Sequence, residues 1–181
     1  MSLDGPTFRL NQKLMSLSGD AWIEDADGNR AFEVDGKAFH VRRTVLMKDP
    51  EGRELFHIGK SLMHVHRTYE IQRDGKVVAT VQGALVNVLG NHYTVRFDGG
   101  DELKVTGDII DKEFKVSRGD SEVIHVSHKL ISIHDTYGVQ VDRAFDPALA
   151  MAIVVTLDQM ETDERRERAA AAAAVVASQS D

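Results

Sequence analysis

Cysteine is absent from this sequence. That single absence removes disulfides, thiolate metal ligands, cysteine nucleophiles and S-palmitoylation. It fits a reducing compartment such as the cytoplasm. Positive charge is also in short supply: 22 Lys and Arg face 29 Asp and Glu, a net charge of -7. General nucleic-acid binding needs the opposite balance, because phosphate contacts dominate its affinity. The start, Met1-Ser2-Leu3-Asp4-Gly5-Pro6, has neither a basic n-region nor an apolar h-region. No secretory signal is therefore read there, and Ser2 rules out an N-myristoyl start. No Gly-x-Ser-x-Gly elbow, Gly-x-Gly-x-x-Gly turn or Walker-type loop occurs. What remains is 181 residues, 42% hydrophobic and 28% charged, the composition of one ordinary globular domain with a real core.

Turn signals punctuate the chain. Ala26-Asp27-Gly28-Asn29, Asp35-Gly36, Asp49-Pro50-Glu51-Gly52, Arg73-Asp74-Gly75, Asp98-Gly99-Gly100 and Arg118-Gly119-Asp120 each separate short runs rich in β-branched and aromatic residues. Asp-Gly supplies the positive φ that tight hairpins need. Many such runs predict antiparallel hairpins closing into a barrel or sandwich. Alternation gives each strand a wet face and a core face. Phe39, Val41, Val45 and Met47 share one side, where Arg43 interrupts them; Tyr93, Val95 and Phe97 share another, and so do Phe114 and Val116. The apolar stretch from Gly83 to Asn91 reads as an irregular connection with one helical turn.

The pattern changes at Asp146, an N-cap residue followed by Pro147 at the first helical position. Ala148 to Leu157 is then apolar on every side, so its helix must be surrounded by protein or lipid. Pro147 to Leu157 spans roughly 16 Å as a helix, whereas a bilayer core is roughly 30 Å thick. The helix therefore belongs inside protein, and a closed barrel is the natural container. Leu149, Ile153 and Leu157 are its expected core. Beyond Met160, Glu161 to Arg168 is a mixed charge run, followed by six alanines and a polar end. The expected organisation is a flexible N-terminus over 1–6, a barrel over 7–160 with its helix at about 147–160, and a tail over 161–181. That tail is either an exposed helix or disordered.

In order along the chain, several short motifs resemble the LURP-one-related family. They are Lys13-Leu14-Met15-Ser16-Leu17, Asp27-Gly28-Asn29, Asp49-Pro50-Glu51-Gly52-Arg53-Glu54-Leu55, Ile58-Gly59-Lys60-Ser61-Leu62 and Thr68-Tyr69-Glu70-Ile71. Gly107-Asp108, Asp135-Thr136-Tyr137-Gly138-Val139 and the helix opening Asp146-Pro147 complete the set. That family is grouped with tubby C-terminal domains and phospholipid scramblases in one tubby-like superfamily. The resemblance implies a mainly β fold: a closed antiparallel barrel of about twelve strands around a central C-terminal helix. It implies no settled activity. Tubby domains bind phosphoinositides through basic residues, but no matching motif is present here. Scramblase-like members carry Pro-rich arms, palmitoylated cysteines and a calcium-binding segment. With three prolines, no cysteine and no recognisable acidic metal loop, this chain departs from all of these.

Two groups of residues are candidates for chemistry. The first is basic. From Lys37 to Lys76, nine Lys and Arg face five Asp and Glu, a local charge of about +4 on a chain that is otherwise about -11. Lys37, Arg42, Arg43, Lys48, Lys60, Arg67, Arg73 and Lys76 make up this patch. Arg42, Arg43, Lys60 and Arg67 are its candidates for an anionic ligand, since a cation near an anionic surface contributes about 1 kcal/mol. The plainer reading is solubilising charge on the wet faces of strands. The second group is His64-Val65-His66, whose imidazoles share a strand face and can chelate a metal if His57, His40 or Glu70 supplies a third ligand. The plainer reading there is two solvent-facing histidines. His125 and His128 read as strand residues pointing to opposite sides.

The expectation is a non-enzymatic binding or scaffold domain of the cytoplasm, peripheral at a membrane if its ligand is lipid. Its ligand would be an anionic phospholipid head group or an acidic partner protein. It needs no cofactor, binds no nucleic acid and has no transmembrane segment. The alternatives are a metal-dependent or ligand-processing enzyme using His64 and His66, and a purely structural interaction barrel.

Overall fold

The computed structural model describes residues 3–11, 20–35, 44–61, 67–83, 93–131 and 135–178. The alternating runs form twelve antiparallel strands. They are β1 Thr7–Asn11, β2 Ala21–Asp25, β3 Arg30–Asp35, β4 Thr44–Lys48, β5 Glu54–Lys60 and β6 Thr68–Arg73, then β7 Lys76–Gly83, β8 Tyr93–Phe97, β9 Glu102–Asp108, β10 Glu113–Arg118, β11 Ser121–Ser127 and β12 Thr136–Val141. A short 3-10 turn, His128–Leu130, precedes β12, and one long helix, α1, runs over Pro147–Ser178. Each strand pairs with its neighbours in sequence, and β1 closes on β12 with Phe8 opposite Val139 and Leu10 opposite Tyr137. Closure leaves no exposed sheet edge.

Phe8 and Leu10, Tyr93 and Val95, Phe114 and Val116 all point inward and are buried, as alternation predicts. They meet α1, whose residues from Ala150 to Glu161 are buried without interruption. The core is therefore a helix inside a barrel. Ile153 and Leu157 are fully buried, whereas Leu149 is half-buried and packs against the core from the first helical turn. Thr156, the polar residue in the middle of this segment, donates its hydroxyl to the Ala152 carbonyl at 2.7 Å. Among the described residues, no helix is long and apolar enough to cross a membrane.

Antiparallel order gives the barrel two distinct ends. At the hairpin end lie the tight turns β2–β3, β4–β5, β6–β7, β8–β9 and β10–β11, together with the start of α1. Two of these turns use one device. Asp25 Oδ1 accepts from the backbone N–H of Asp27 and Asn29 at 2.9 and 2.8 Å, with Gly28 at φ 87°. Asp49 Oδ1 accepts from Glu51 and Arg53 at 3.1 and 2.8 Å, with Gly52 at φ 85°. A side-chain oxygen that mimics the backbone, followed by glycine in the left-handed region, fixes such turns. Asp146 then caps α1, its Oδ1 accepting from Ala148 and Leu149 at 2.9 and 3.3 Å.

At the exit end α1 leaves the barrel beside Lys60, Arg67, Tyr93 and Lys112. It does not stop near residue 160: the charged and alanine-rich segment continues the same helix to Ser178, exposed from Arg165 onward. Alanine has the highest helix propensity, and Glu161–Arg165 and Glu164–Arg168 add i,i+4 pairs. Phe39, Val41, Arg43 and the Gly83–Asn91 connection, apart from Gly83 itself, lie outside the described residues.

Candidate functional site

Among the described residues, the exit end collects the buried charged side chains Lys112, Asp158 and Glu161. Lys112 lies in the β9–β10 turn at φ 53° and is 7% exposed. Its ammonium donates to Asp158 Oδ1 on α1 and stands 5.7 Å from the ring centre of Tyr137. Burial pushes the Asp158 carboxyl above its ordinary range, and the neighbouring Lys112 charge opposes that. Burial, together with Asp158, likewise raises the Tyr137 phenol. The buried Tyr137 hydroxyl, Thr68 Oγ1 and Gln159 Oε1 have no hydrogen-bond partner among the described residues.

One turn further along α1, carboxylates meet the rim of the barrel. Glu164 binds Arg67 at 2.7 Å, accepts from the Tyr93 hydroxyl at 3.3 Å, and pairs with Arg168 at 3.0 Å. Asp163 accepts from the Tyr69 hydroxyl and, at 2.8 Å, from Gln159 Nε2. Glu167 meets Lys60 at 3.4 Å. The cleft between Lys60, Arg67, Tyr69 and these acids has room for about one water, roughly 10 Å³. Burial first, then the facing acids, raise both Tyr69 and Tyr93 far above the ordinary phenol value, so both hydroxyls remain donors. Two cations and two phenols thus form a cradle for anionic oxygen, with the chain's own acids in it.

The linear basic patch divides between the two ends. Lys60 and Arg67 come together at the exit end, on β5 and just before β6. Lys48, Arg73 and Lys76 lie towards the hairpin end. There Lys48 holds Asp35 at 2.8 Å, and Arg73 binds Asp146 at 2.8 Å and covers the Phe56 ring at 4.4 Å. Arg42 and Arg43 lie outside the described residues, as do His64, His66 and His40. Of the other metal candidates, His57 pairs with Glu54 at 3.0 Å, and Glu70 accepts from Ser61 Oγ at 2.7 Å. Among the described residues, no three His, Asp or Glu side chains converge as a metal site would require. His125 contacts Glu122 at 2.8 Å, and His128 Nδ1 donates to the Thr136 carbonyl at 3.0 Å.

Sequence reasoning missed Tyr69, Tyr93, Asp163, Glu164 and Glu167 as a group. The signal was the mixed charge run itself: Glu167 lies four residues after Asp163 and three after Glu164, so it shares a helical face with both, next to the buried segment.

A closed barrel threaded by its own C-terminal helix is the tubby-like architecture. The chain belongs to the LURP-one-related family, whose profile matches residues 6–158. It is similar to the uncharacterised protein YxjI of Bacillus subtilis (strain 168), with 28% identity over 158 residues, 87% of this chain and 95% of the relative. Its fold is shared by a protein of Arabidopsis thaliana solved by X-ray crystallography. The TM-score is 0.63 at 17% identity, over 86% of this chain and 91% of that one.

Proposed function

We propose that this protein is a non-enzymatic, cytoplasmic binding domain whose exit end takes a phosphate-bearing anion, with the head group of an anionic phospholipid as the leading ligand. One observation carries this reading: Lys60 and Arg67, with the Tyr69 and Tyr93 hydroxyls, converge on acidic oxygens at the rim. Groups that already hold carboxylates have the charge and donors to hold phosphate, and an arginine fork suits it well. Such a domain would sit peripherally at a membrane surface. Because the resident acids lie on a helix, an acidic helix of a partner protein is the second reading.

The test is co-sedimentation with neutral phosphatidylcholine vesicles and with vesicles carrying roughly a fifth of anionic phosphatidylglycerol, at low and moderate salt. Salt-sensitive binding to the anionic vesicles alone, weakened by Lys60→Gln with Arg67→Gln, is the expected result. If inorganic phosphate binds and vesicles do not, the ligand is a soluble phosphate. If neither binds, the phosphate reading falls and the acidic partner takes its place. Stoichiometric metal in the purified protein would instead favour chemistry at His64 and His66.

A further inference from the structure

We propose that the acidic turn of α1 is a built-in competitor for this cradle: Glu164 and Glu167 occupy Arg67 and Lys60, and an anionic ligand binds by displacing them. This inference rests on the reading of the exit end as an anion site and adds its regulation.

Three observations support a displaceable occupant. First, two of the three acids at the rim already have a cation on their own helix. Glu164 also pairs with Arg168 at 3.0 Å, and Asp163 approaches Arg166 at 3.9 Å. A carboxylate that releases Arg67 therefore keeps a cation on its own helix, so its release leaves no unpaired charge. Second, the contacts become weaker outward along the helix. The Lys112–Asp158 pair is buried, with side chains 8% and 6% exposed. At Arg67–Glu164 the exposures are 46% and 12%, and at Lys60–Glu167 they are 54% and 61%. Exposed pairs contribute little and are screened by salt. The inner pair anchors the helix while the outer ones can exchange. Third, α1 is exposed from Arg165 onward, so movement of Glu167 and the outer helix disturbs no core packing, and at Glu164 only the side chain has to turn from Arg67 to Arg168.

The balance of charge agrees. Lys60 and Arg67 face Asp163, Glu164 and Glu167, so the acids outnumber the cations and the resting cradle presents no net positive charge to an incoming anion. The competitor must leave, or lose its charge, before the full attraction of the two cations is available. Ligand and acidic turn then oppose one another with a coupling that is reciprocal.

The experiment compares the full-length chain with Glu164→Gln/Glu167→Gln in the vesicle assay of phosphatidylcholine with roughly a fifth phosphatidylglycerol. Glutamine keeps the shape and loses the charge. A matched control, Glu51→Gln/Glu102→Gln, removes the same charge at the hairpin end. The expected result is a gain of roughly fivefold or more in affinity for the rim variant, within the usual range of coupling between sites. The control should change less than twofold, and adding Lys60→Gln/Arg67→Gln should abolish the gain. Equal gains in variant and control would overturn the inference, because bulk charge would then explain both. Binding by the parent with no gain in the rim variant would overturn the inference and leave the anion site standing. No binding by any variant, to vesicles or to inorganic phosphate, would remove the anion site and the inference with it. If the double variant fails to fold, Glu167→Gln alone, at a side chain 61% exposed, must give the same sign of change.

Discussion

The two ends of the barrel use the same residue types for different work. At the hairpin end the aspartates serve the backbone: Asp25, Asp49 and Asp146 all accept from main-chain N–H groups. At the exit end the acids on α1 serve side chains: Asp158 takes Lys112, Asp163 takes Tyr69, and Glu164 takes Arg67 and Tyr93. A carboxylate bound to the backbone of its own turn has no alternative partner of equal quality. A carboxylate bound to a long cationic side chain can change partners without changing the fold. That difference makes one end closure and the other a site. α1 joins them, with one half in the core and the other in water.

The contrast within α1 gives the largest expected effect. Ile153 is fully buried, so Ile153→Asp places an uncompensated carboxylate among apolar side chains. The expected cost is about 4 kcal/mol or more, enough to unfold a domain of ordinary stability. Truncation after Arg168 removes only exposed helix and should change stability by less than about 0.5 kcal/mol. Urea denaturation followed by circular dichroism measures both. Similar losses from the two changes would mean that the barrel does not enclose the inner half.

Next in size is the anchor at the exit end. Lys112→Ala leaves Asp158 buried without its cation, at an expected cost of about 3–5 kcal/mol. Replacing both partners, with Lys112→Met and Asp158→Leu, should recover most of that loss, because the double change removes both desolvated charges. A double-mutant cycle in urea decides. If the double variant is as unstable as the single one, the pair contributes more than mutual neutralisation.

The fold was legible in the sequence because its determinants are local or periodic. Asp-Gly turns set the hairpins, alternation set the inward faces, and an all-apolar run too short for a membrane had to enter protein. The site was only half legible. Lys60 and Arg67 stood out by charge, but their partners come from far along the chain, and Glu167 is 107 residues from Lys60. No periodicity within either segment indicates that pairing. The basic stretch misled in a related way: an antiparallel barrel sends successive strand ends to opposite poles, so neighbours in sequence such as Arg67 and Arg73 finish at different ends. Lys112 was hidden in the same manner, as one lysine in a turn flanked by Asp108 and Asp111.

A smaller effect is expected at the hairpin end. Asp146→Ala removes the cap of α1 and the Arg73 contact, and should cost about 1 kcal/mol. Because the inner helix is held on all sides by the barrel, that loss should appear as a lower urea midpoint with unchanged helix content. A drop in helix content would show that the cap, and not the barrel, sustains the first turns.

The finest distinction is the direction of two carboxyl titrations. Hydrogen bonds from the Asn29 side chain and from the turn's backbone N–H groups hold the Asp25 carboxyl below its ordinary 3.8. Its folded form therefore prefers charge. The stability it adds is fully present above the unfolded pKa and is lost as pH falls through the lower, folded value. Asp158 has the opposite sign: burial raises it above 3.8. Its contribution is fully present below the unfolded pKa and declines as pH rises through the folded value, with Lys112 limiting the decline. Carboxyl-carbon NMR shifts recorded against pH should place the two midpoints on opposite sides of 3.8. Both midpoints below that value would mean that Lys112 outweighs burial at Asp158, making the anchor a net source of stability at neutral pH. The Lys112→Ala loss would then be expected at the upper end of its range.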